Sequence, residues 1–392
     1  MITRPVRERP AAQVRTMIEN GLQRTGYDEV SLTSLSTADF SGIEQLTSSL
    51  SSMSCGTSDN LTVSLPSLRV DAFTVGLAVQ VSGGRRSGLT FAPEAGSWRM
   101  RQVINKLITE ADLYGAVEGA FAQGWHRMKL YFLTGLPTEA DPDTLGIVDL
   151  ARNCVRIGRQ YTNRASVTVS LGGFVPKPHT PFQWFGQNTT AELRRKVQLV
   201  RDAAQRARGV TVKWHDPAAT LAEGIASRGD RRIGAVMERV WRDGGIFQEW
   251  SEFFRLARWE DAMAAEGLSI DWYVHRHRDQ NEVLPWDHLS AGLHKDFLWL
   301  DWQAALAEHG LEDCRWTPCY DCGVCTGYGI EHVVASPVPP AGGSQGTGQD
   351  LETGGVVPVR LQLGRRPERA EAEGCYCANC GHAPEFPVDE PR

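Results

Sequence analysis

Apolar and polar positions alternate in two distinct rhythms along the first half of the chain. The stretch 9–26, RPAAQVRTMIENGLQRTG, puts Val14, Ile18 and Leu22 at helical spacing and ends on Gly26, so it predicts a helix. EVSLTSLS (29–36) then predicts a short strand, and FSGIEQLTSSLSSMS (40–54) returns to a helical rhythm. NLTVSLPSLRVDAF (60–73) and GLTFAPEAG (88–96) predict two further strands. A helix with one apolar face is predicted from about 100 to 123. HRMKLYFLTGLPTE (126–139) predicts a strand, a helix follows around 141–161, and ASVTVSLGGFVPKPHTPF (165–182) contains another strand. Strands alternating with helices in this way argue for a parallel β/α architecture.

Polar or conformationally special residues stand just past each predicted strand: Ser36 to Asp39, Pro93 to Gly96, Gly135 to Glu139 and Pro176 to His179. A β/α barrel builds its site from such loops. Read singly, each glycine or proline need only end a strand. From about 190 to 310 the pattern becomes mainly helical, beginning with the capped stretch 189–207, TTAELRRKVQLVRDAAQRA. Ten of the twelve tryptophans lie between Trp184 and Trp316, a density that predicts a packed aromatic core. Residues 336–355 are rich in Pro, Gly and Ser and read as a disordered linker before a polar tail at 356–392.

Composition adds bounds. The 392 residues are 41% hydrophobic and 22% charged, as in ordinary globular chains, and the net charge is −6. That balance gives no general reason to expect nucleic-acid or membrane-surface binding, although local basic patches remain compatible with it. No apolar run approaches the roughly 20 residues that span a bilayer, and the N-terminal MITRPVRERP has no apolar segment of a secretory signal. The cytoplasm is therefore the expected compartment. Its reduced thiols make nine cysteines better candidates for ligands or small buried residues than for disulfides.

Seven of those cysteines follow residue 313. Cys314, Cys319, Cys322 and Cys325 read C-x4-C-x2-C-x2-C, which suits an iron–sulfur cluster and would also suit zinc. Cys375, Cys377, Cys380 and His382 form a second, shorter set that could hold zinc. In FLTGLPTE (132–139) a strand ends on Gly135, Pro137 can start the next helix, and Glu139 falls near its N-terminus. His179, His215, His288 and His294 read as hydrogen-bonded structural residues, and RGDRR (228–232) as a charged turn or a phosphate contact.

LTFAPEAGS, KLYFLTGLPTE and VSLGGFVPKPHTPFQW, in this order and spacing, resemble the radical S-adenosylmethionine enzymes, in particular an uncharacterised subgroup carrying a cobalamin-binding domain. VKWHDP, EGIASRGDRR, LPWDHLSAGLHKDFL and CRWTPCYDCGVC continue the resemblance, which spans roughly residues 1–330. It implies a partial β/α barrel over 1–185, a mainly helical extension over 186–313 and a Cys-rich metal loop over 314–330. It also implies S-adenosylmethionine bound to a 4Fe–4S cluster, with hydrogen abstraction by a 5′-deoxyadenosyl radical. Ser36 and Thr37 match the loop at the cofactor's amino group, Glu94 a residue near its ribose, Gly135 and Leu136 the adenine contact, and Pro176 to Thr180 the last rim loop. Ser36 and Thr37 also read as plain turn hydroxyls, and Glu94 as a rim carboxylate. The C-x3-C-x2-C motif that holds the family's cluster is not in this sequence, and Cys55 stands alone. Met1 falls where the residues just after that motif belong. The chain is thus expected to be truncated, with the first barrel strand, the cluster loop and any cobalamin domain upstream, and not to be competent by itself. Cys314 to Cys325 would then be auxiliary. Methylation or methylthiolation is the associated chemistry, with RNA or protein among the substrates. The alternatives are a non-catalytic, metal-stapled module that binds RNA or protein, and a zinc-stabilised interaction protein.

Overall fold

The computed structural model describes residues 8–34, 37, 40–51, 61–64, 89–314 and 317–329. Helix α1 (Ala11–Thr25) leads to β1 (Glu29–Ser31), α2 (Ile43–Ser51) and β2 (Thr62–Ser64), with β1 and β2 paired in parallel. A four-stranded parallel sheet follows, built from β3 (Leu89–Glu94), β4 (Arg127–Thr134), β5 (Ser166–Gly173) and β6 (Val210–Trp214), in that spatial order. Helices α3 (Trp98–Val103) and α4 (Glu110–Ala122) connect β3 to β4. Helix α5 (Asp141–Gly158) connects β4 to β5, and α6 (Thr190–Ala204) connects β5 to β6. The protein is an α/β fold.

The sheet forms because its strands are rich in β-branched and aromatic residues that alternate in burial. In β4, Met128, Leu130, Phe132 and Thr134 are buried while the residues between them are partly or fully exposed. Leu89 and Phe91 of β3 and Val167, Val169 and Leu171 of β5 join them in one hydrophobic cluster with α4, α5 and α6. Ile18, Leu22, Leu46, Leu50 and Val63 belong to the same cluster, so the β1–β2 pair shares the core of the larger sheet. Each strand is added beside its predecessor, which carries the connecting helices onto one face.

Two expectations change. The helix predicted over 100–123 is two helices, because Asn105 takes a left-handed conformation (φ 54°) and Thr109 starts α4 with a reciprocal capping box to Asp112. And β6 lies within 186–313, the region read as mainly helical. Val210 and Val212 add to the core face and pair with Val167 and Val169.

Beyond β6 come α7 (Pro217–Arg228), α8 (Ile233–Arg242), α9 (Leu256–Ala265), a π-helical turn at Asp271–His275, α10 (Lys295–Leu306) and the short α11 (Val324–Gly327). Part of this region builds a second core, with Ile225, Val236, Trp259 and Tyr273. Another part closes over the C-terminal ends of the strands. Ala95 and Leu136, just past β3 and β4, are buried with Trp184, Trp286, Leu298 and Trp302. The predicted linker at 336–355 and the tail at 356–392 lie outside the described residues. Among the described residues, no helix is long and apolar enough to cross a membrane.

Candidate functional site

The second face of the sheet has a different character from the first. Register places Thr90 beside Lys129, Lys129 beside Thr168, and Thr168 beside Thr211 in one row. The next row holds Tyr131, Ser170 and Lys213. Side chains paired in a parallel sheet share a face, so these polar residues stand together. Thr90, Lys129 and Thr168 are half-buried, Tyr131, Thr211 and Lys213 are exposed, and only Ser170 is fully buried. Lys129 donates to the Tyr131 hydroxyl at 2.9 Å and lies 4.5 Å from the ring centroid. A parallel sheet with helices on both sides would read as continuous apolar runs. This one is apolar toward the helices and polar on the other side.

The strand ends supply the rim of that face. The Phe174 amide donates to the Thr134 carbonyl at 2.8 Å, which holds the loops after β4 and β5 together. The Ser97 hydroxyl donates to Asp143 at 2.6 Å, which ties the loop after β3 to the first turn of α5. Burial works against the Asp143 charge, but Arg99, Ser97 and the Ala140 amide outweigh it and hold the carboxyl below its ordinary value. Glu94 ends β3 in a left-handed conformation (φ 68°), with Lys106 3.6 Å away. Burial raises its carboxyl above the usual range despite that lysine.

Gly135 has φ 83°, a conformation that favours glycine. Its amide donates to Glu139 at 2.7 Å, and Glu139 pairs with Lys196 at 2.8 Å, both side chains 3% exposed. Lys196 also donates to the Glu139 carbonyl at 3.0 Å.

The residues assigned by resemblance are placed as follows. Glu94, Gly135, Leu136 and Pro176 all lie at the C-terminal ends of β3, β4 and β5. Leu136 is buried in the aromatic cluster and Pro176 is also buried. Thr37 is buried, and its hydroxyl donates to the Leu32 carbonyl at 3.2 Å and meets Ser34 at 3.1 Å, as a turn hydroxyl does. Ser36 lies outside the described residues, as do Cys55, Cys375, Cys377, Cys380 and His382. An orphaned polar atom stands in the rim cluster: the Trp184 indole N–H is buried with no partner among the described residues. The strand ends thus gather the Glu94 carboxyl, the Gly135 turn and this unpartnered donor at one end of the sheet.

For a metal at 314–325 the donor chemistry is right. Cys319 is exposed, Cys314, Cys322 and Cys325 are half-buried, and all four are free thiols. The Cys319 sulfur accepts the Asp321 amide at 3.3 Å, and the Cys322 carbonyl accepts the His294 amide at 3.0 Å. Among the described residues, however, no three His, Cys, Asp or Glu side chains are gathered as a ligand set. Of the other histidines, His275 hydrogen-bonds the Gln187 carbonyl at 2.9 Å and His277 accepts the Gly186 amide at 3.3 Å.

Sequence reasoning passed over the polar sheet face. Its signal was present, since Thr90, Lys129, Tyr131, Thr168 and Ser170 interrupt apolar runs at every second position. The long apolar content of these strands masks that alternation until register is known.

Fold and site together define an α/β protein with a parallel sheet, covered by helices on one face and polar on the other. No family model matches the chain. It is similar to the uncharacterized protein MJ0966 of Methanocaldococcus jannaschii, with 28% identity over 234 residues, which take in 60% of this chain and 49% of that protein. The chain therefore spans about half the length of this relative.

Proposed function

We propose that this chain is the catalytic part of a radical S-adenosylmethionine iron–sulfur enzyme, with the polar sheet face as the inner wall of an incomplete β/α barrel. The observation that carries the reading is the singly wound sheet: consecutive parallel neighbours, with helices packed on one face and a polar second face. Curling such a sheet toward its polar side gives a barrel interior, with the site at the C-terminal rim. Bound there, the cofactor with its cluster would supply one-electron chemistry for hydrogen abstraction. The chain's own residues would bind and orient it. Glu94 and Lys106 would meet polar groups of the ribose or amino-acid end, the Gly135–Leu136 backbone would lie against adenine, and Lys129, Tyr131 and Lys213 would face the substrate. Substrates in RNA or protein and methylation-type chemistry follow from the resemblance, and a non-catalytic module that binds RNA or protein is the second reading.

Ligand-observed NMR on the full chain with S-adenosylmethionine or 5′-deoxyadenosine tests this. Saturation transfer to the adenosyl protons is expected, with at least tenfold weaker binding in Glu94→Ala. No transfer, or transfer indifferent to Glu94, counts against the rim as a cradle and in favour of the binding module.

A metal at Cys314, Cys319, Cys322 and Cys325 is tested by anaerobic purification with iron, sulfide and zinc analysis. Iron with sulfide, lost in Cys319→Ser and Cys322→Ser, is the expected result for an auxiliary cluster. Zinc alone would replace the cluster by a structural site, and neither metal would remove both.

A further inference from the structure

Two arginines behind the polar rim are buried without the partners that buried guanidiniums need. Arg228, at the end of α7, is 0% exposed, and Arg278, just after the π-helical turn, is 5% exposed. Both point a donor at one acceptor: Arg228 Nε and Arg278 Nη2 each lie 3.2 Å from the Tyr273 carbonyl. Arg278 Nη2 also donates to the Arg228 carbonyl at 2.8 Å. The remaining donors, Arg228 Nη1 and Nη2 and Arg278 Nε and Nη1, have no partner among the described residues. Buried polar groups are nearly always satisfied, and a charged group left unsatisfied calls for an explanation.

Arg278 lines a cleft of about 330 Å³ together with Asp230, Trp272, Glu282, Leu284 and His288. The carboxylates around this cleft are already neutralised. Asp230 holds Arg232 at 2.6 Å and accepts the Tyr273 hydroxyl at 3.1 Å. Glu282 takes Arg276 through both oxygens, at 2.8 and 2.5 Å. Asp287 takes Lys295 at 2.7 Å and the Leu284 amide at 2.9 Å. Each acid has its own cation at ion-pair distance, whereas among the described residues Arg228 and Arg278 have no carboxylate that close, and the Glu282 charge acts on both only from farther away. Burial, then the charges of Arg278 and Arg276, pull Arg228 down to about 9, and burial pulls Arg278 down to about 10, so both remain cationic at neutral pH. The face of Trp286 lies 4.9 Å from the Arg278 guanidinium and fixes its plane.

We propose that Arg278, with the Arg228 guanidinium behind it, holds a phosphoryl group that enters through this cleft. Two guanidiniums match the double negative charge, and four free donor nitrogens suit the three oxygens of a phosphoryl better than the two of a carboxylate. Trp272, 46% exposed at the cleft wall, offers a ring on which a base can stack, which favours a nucleotide as the source. The proposal does not rest on the cofactor cradle above, although the Arg278 amide donates to the Trp184 carbonyl of the rim cluster at 2.9 Å.

Calorimetric titration of the full chain with inorganic phosphate, AMP and a single-stranded RNA hexamer tests the proposal, alongside Arg278→Lys and Arg278→Gln checked by circular dichroism. Binding is expected in the wild type, at least tenfold weaker in Arg278→Lys and absent in Arg278→Gln. AMP tighter than phosphate assigns a nucleotide, and the hexamer tighter than AMP assigns an RNA backbone. Equal affinity for phosphate and AMP removes the nucleotide and keeps the phosphoryl site. No binding of any of the three, or binding unchanged in both variants, overturns it. Should the variants not fold, the wild-type melting midpoint decides: phosphate must raise it by several degrees over chloride at equal ionic strength, and no rise overturns the proposal.

Discussion

Replacing Lys196 by methionine is expected to destabilise the fold by about 3–5 kcal/mol at pH 8, the range for leaving one member of a buried ion pair without its partner. The Glu139 carboxylate would be stranded under the β4 rim, where its side chain is 3% exposed. Burial already raises the Glu139 carboxyl above its ordinary value, with Lys196 acting against that shift. Without the lysine the shift grows. A carboxyl raised in the folded state binds more protons there than in the unfolded chain, so its stability contribution is present at low pH and lost as pH rises through the folded value. The deficit of the variant, read from urea midpoints, should therefore be small near pH 4.5 and full at pH 8. A deficit that does not change with pH would show that the buried charge is not its cause. Glu139→Gln together with Lys196→Met should recover much of the loss, because the stranded carboxylate is gone.

Gly96→Ala is expected to cost about 3 kcal/mol, the upper end for forcing atoms into packed space. A Cβ at residue 96 would lie 2.3 Å from the Asp143 carbonyl oxygen and 2.5 Å from the Ile147 nitrogen. Both are backbone atoms of α5, which cannot swing aside as a flexible side chain would. The loop after β3 must then lift from α5, carrying Ser97 away from Asp143 and shifting Glu94. Thermal melts measure the loss, and adenosyl binding should weaken in the same variant. A variant as stable as wild type would show that the loop after β3 and α5 do not meet as described.

The sheet was legible because its strands obey local rules. Leu89–Glu94, Arg127–Thr134 and Ser166–Gly173 fall inside the predicted stretches, bounded by the glycines and prolines that end them. The strand Val210–Trp214 was hidden by its surroundings. Its exposed Thr211, Lys213 and Trp214 leave only two apolar positions, too few to stand out between two helices. The break at Asn105 was hidden too, since asparagine marks a left-handed helix end far more weakly than glycine does. At the strand ends, Gly135 could be singled out because a backbone turn is a local feature, and Glu94 through the resemblance. The Lys196–Glu139 pair and the Arg228–Arg278 pair could not, because each joins residues 50 or more positions apart. Pairing over such separations is set by tertiary packing.

The aromatic closure of the rim has an optical consequence. Trp184 and Trp299 meet edge to face with centroids 5.0 Å apart, and Trp286 and Trp302 share their cluster with Ala95 and Leu136. Trp184, Trp286 and Trp302 are shielded from water, whereas Trp241 and Trp250 are more than half exposed. Shielded indoles emit at shorter wavelength than wet ones, so the rim tryptophans feed the blue edge of the intrinsic fluorescence together with Trp125 and Trp259, which are buried in the other cores. The rim thus adds its own optical label to the emission of the molecule.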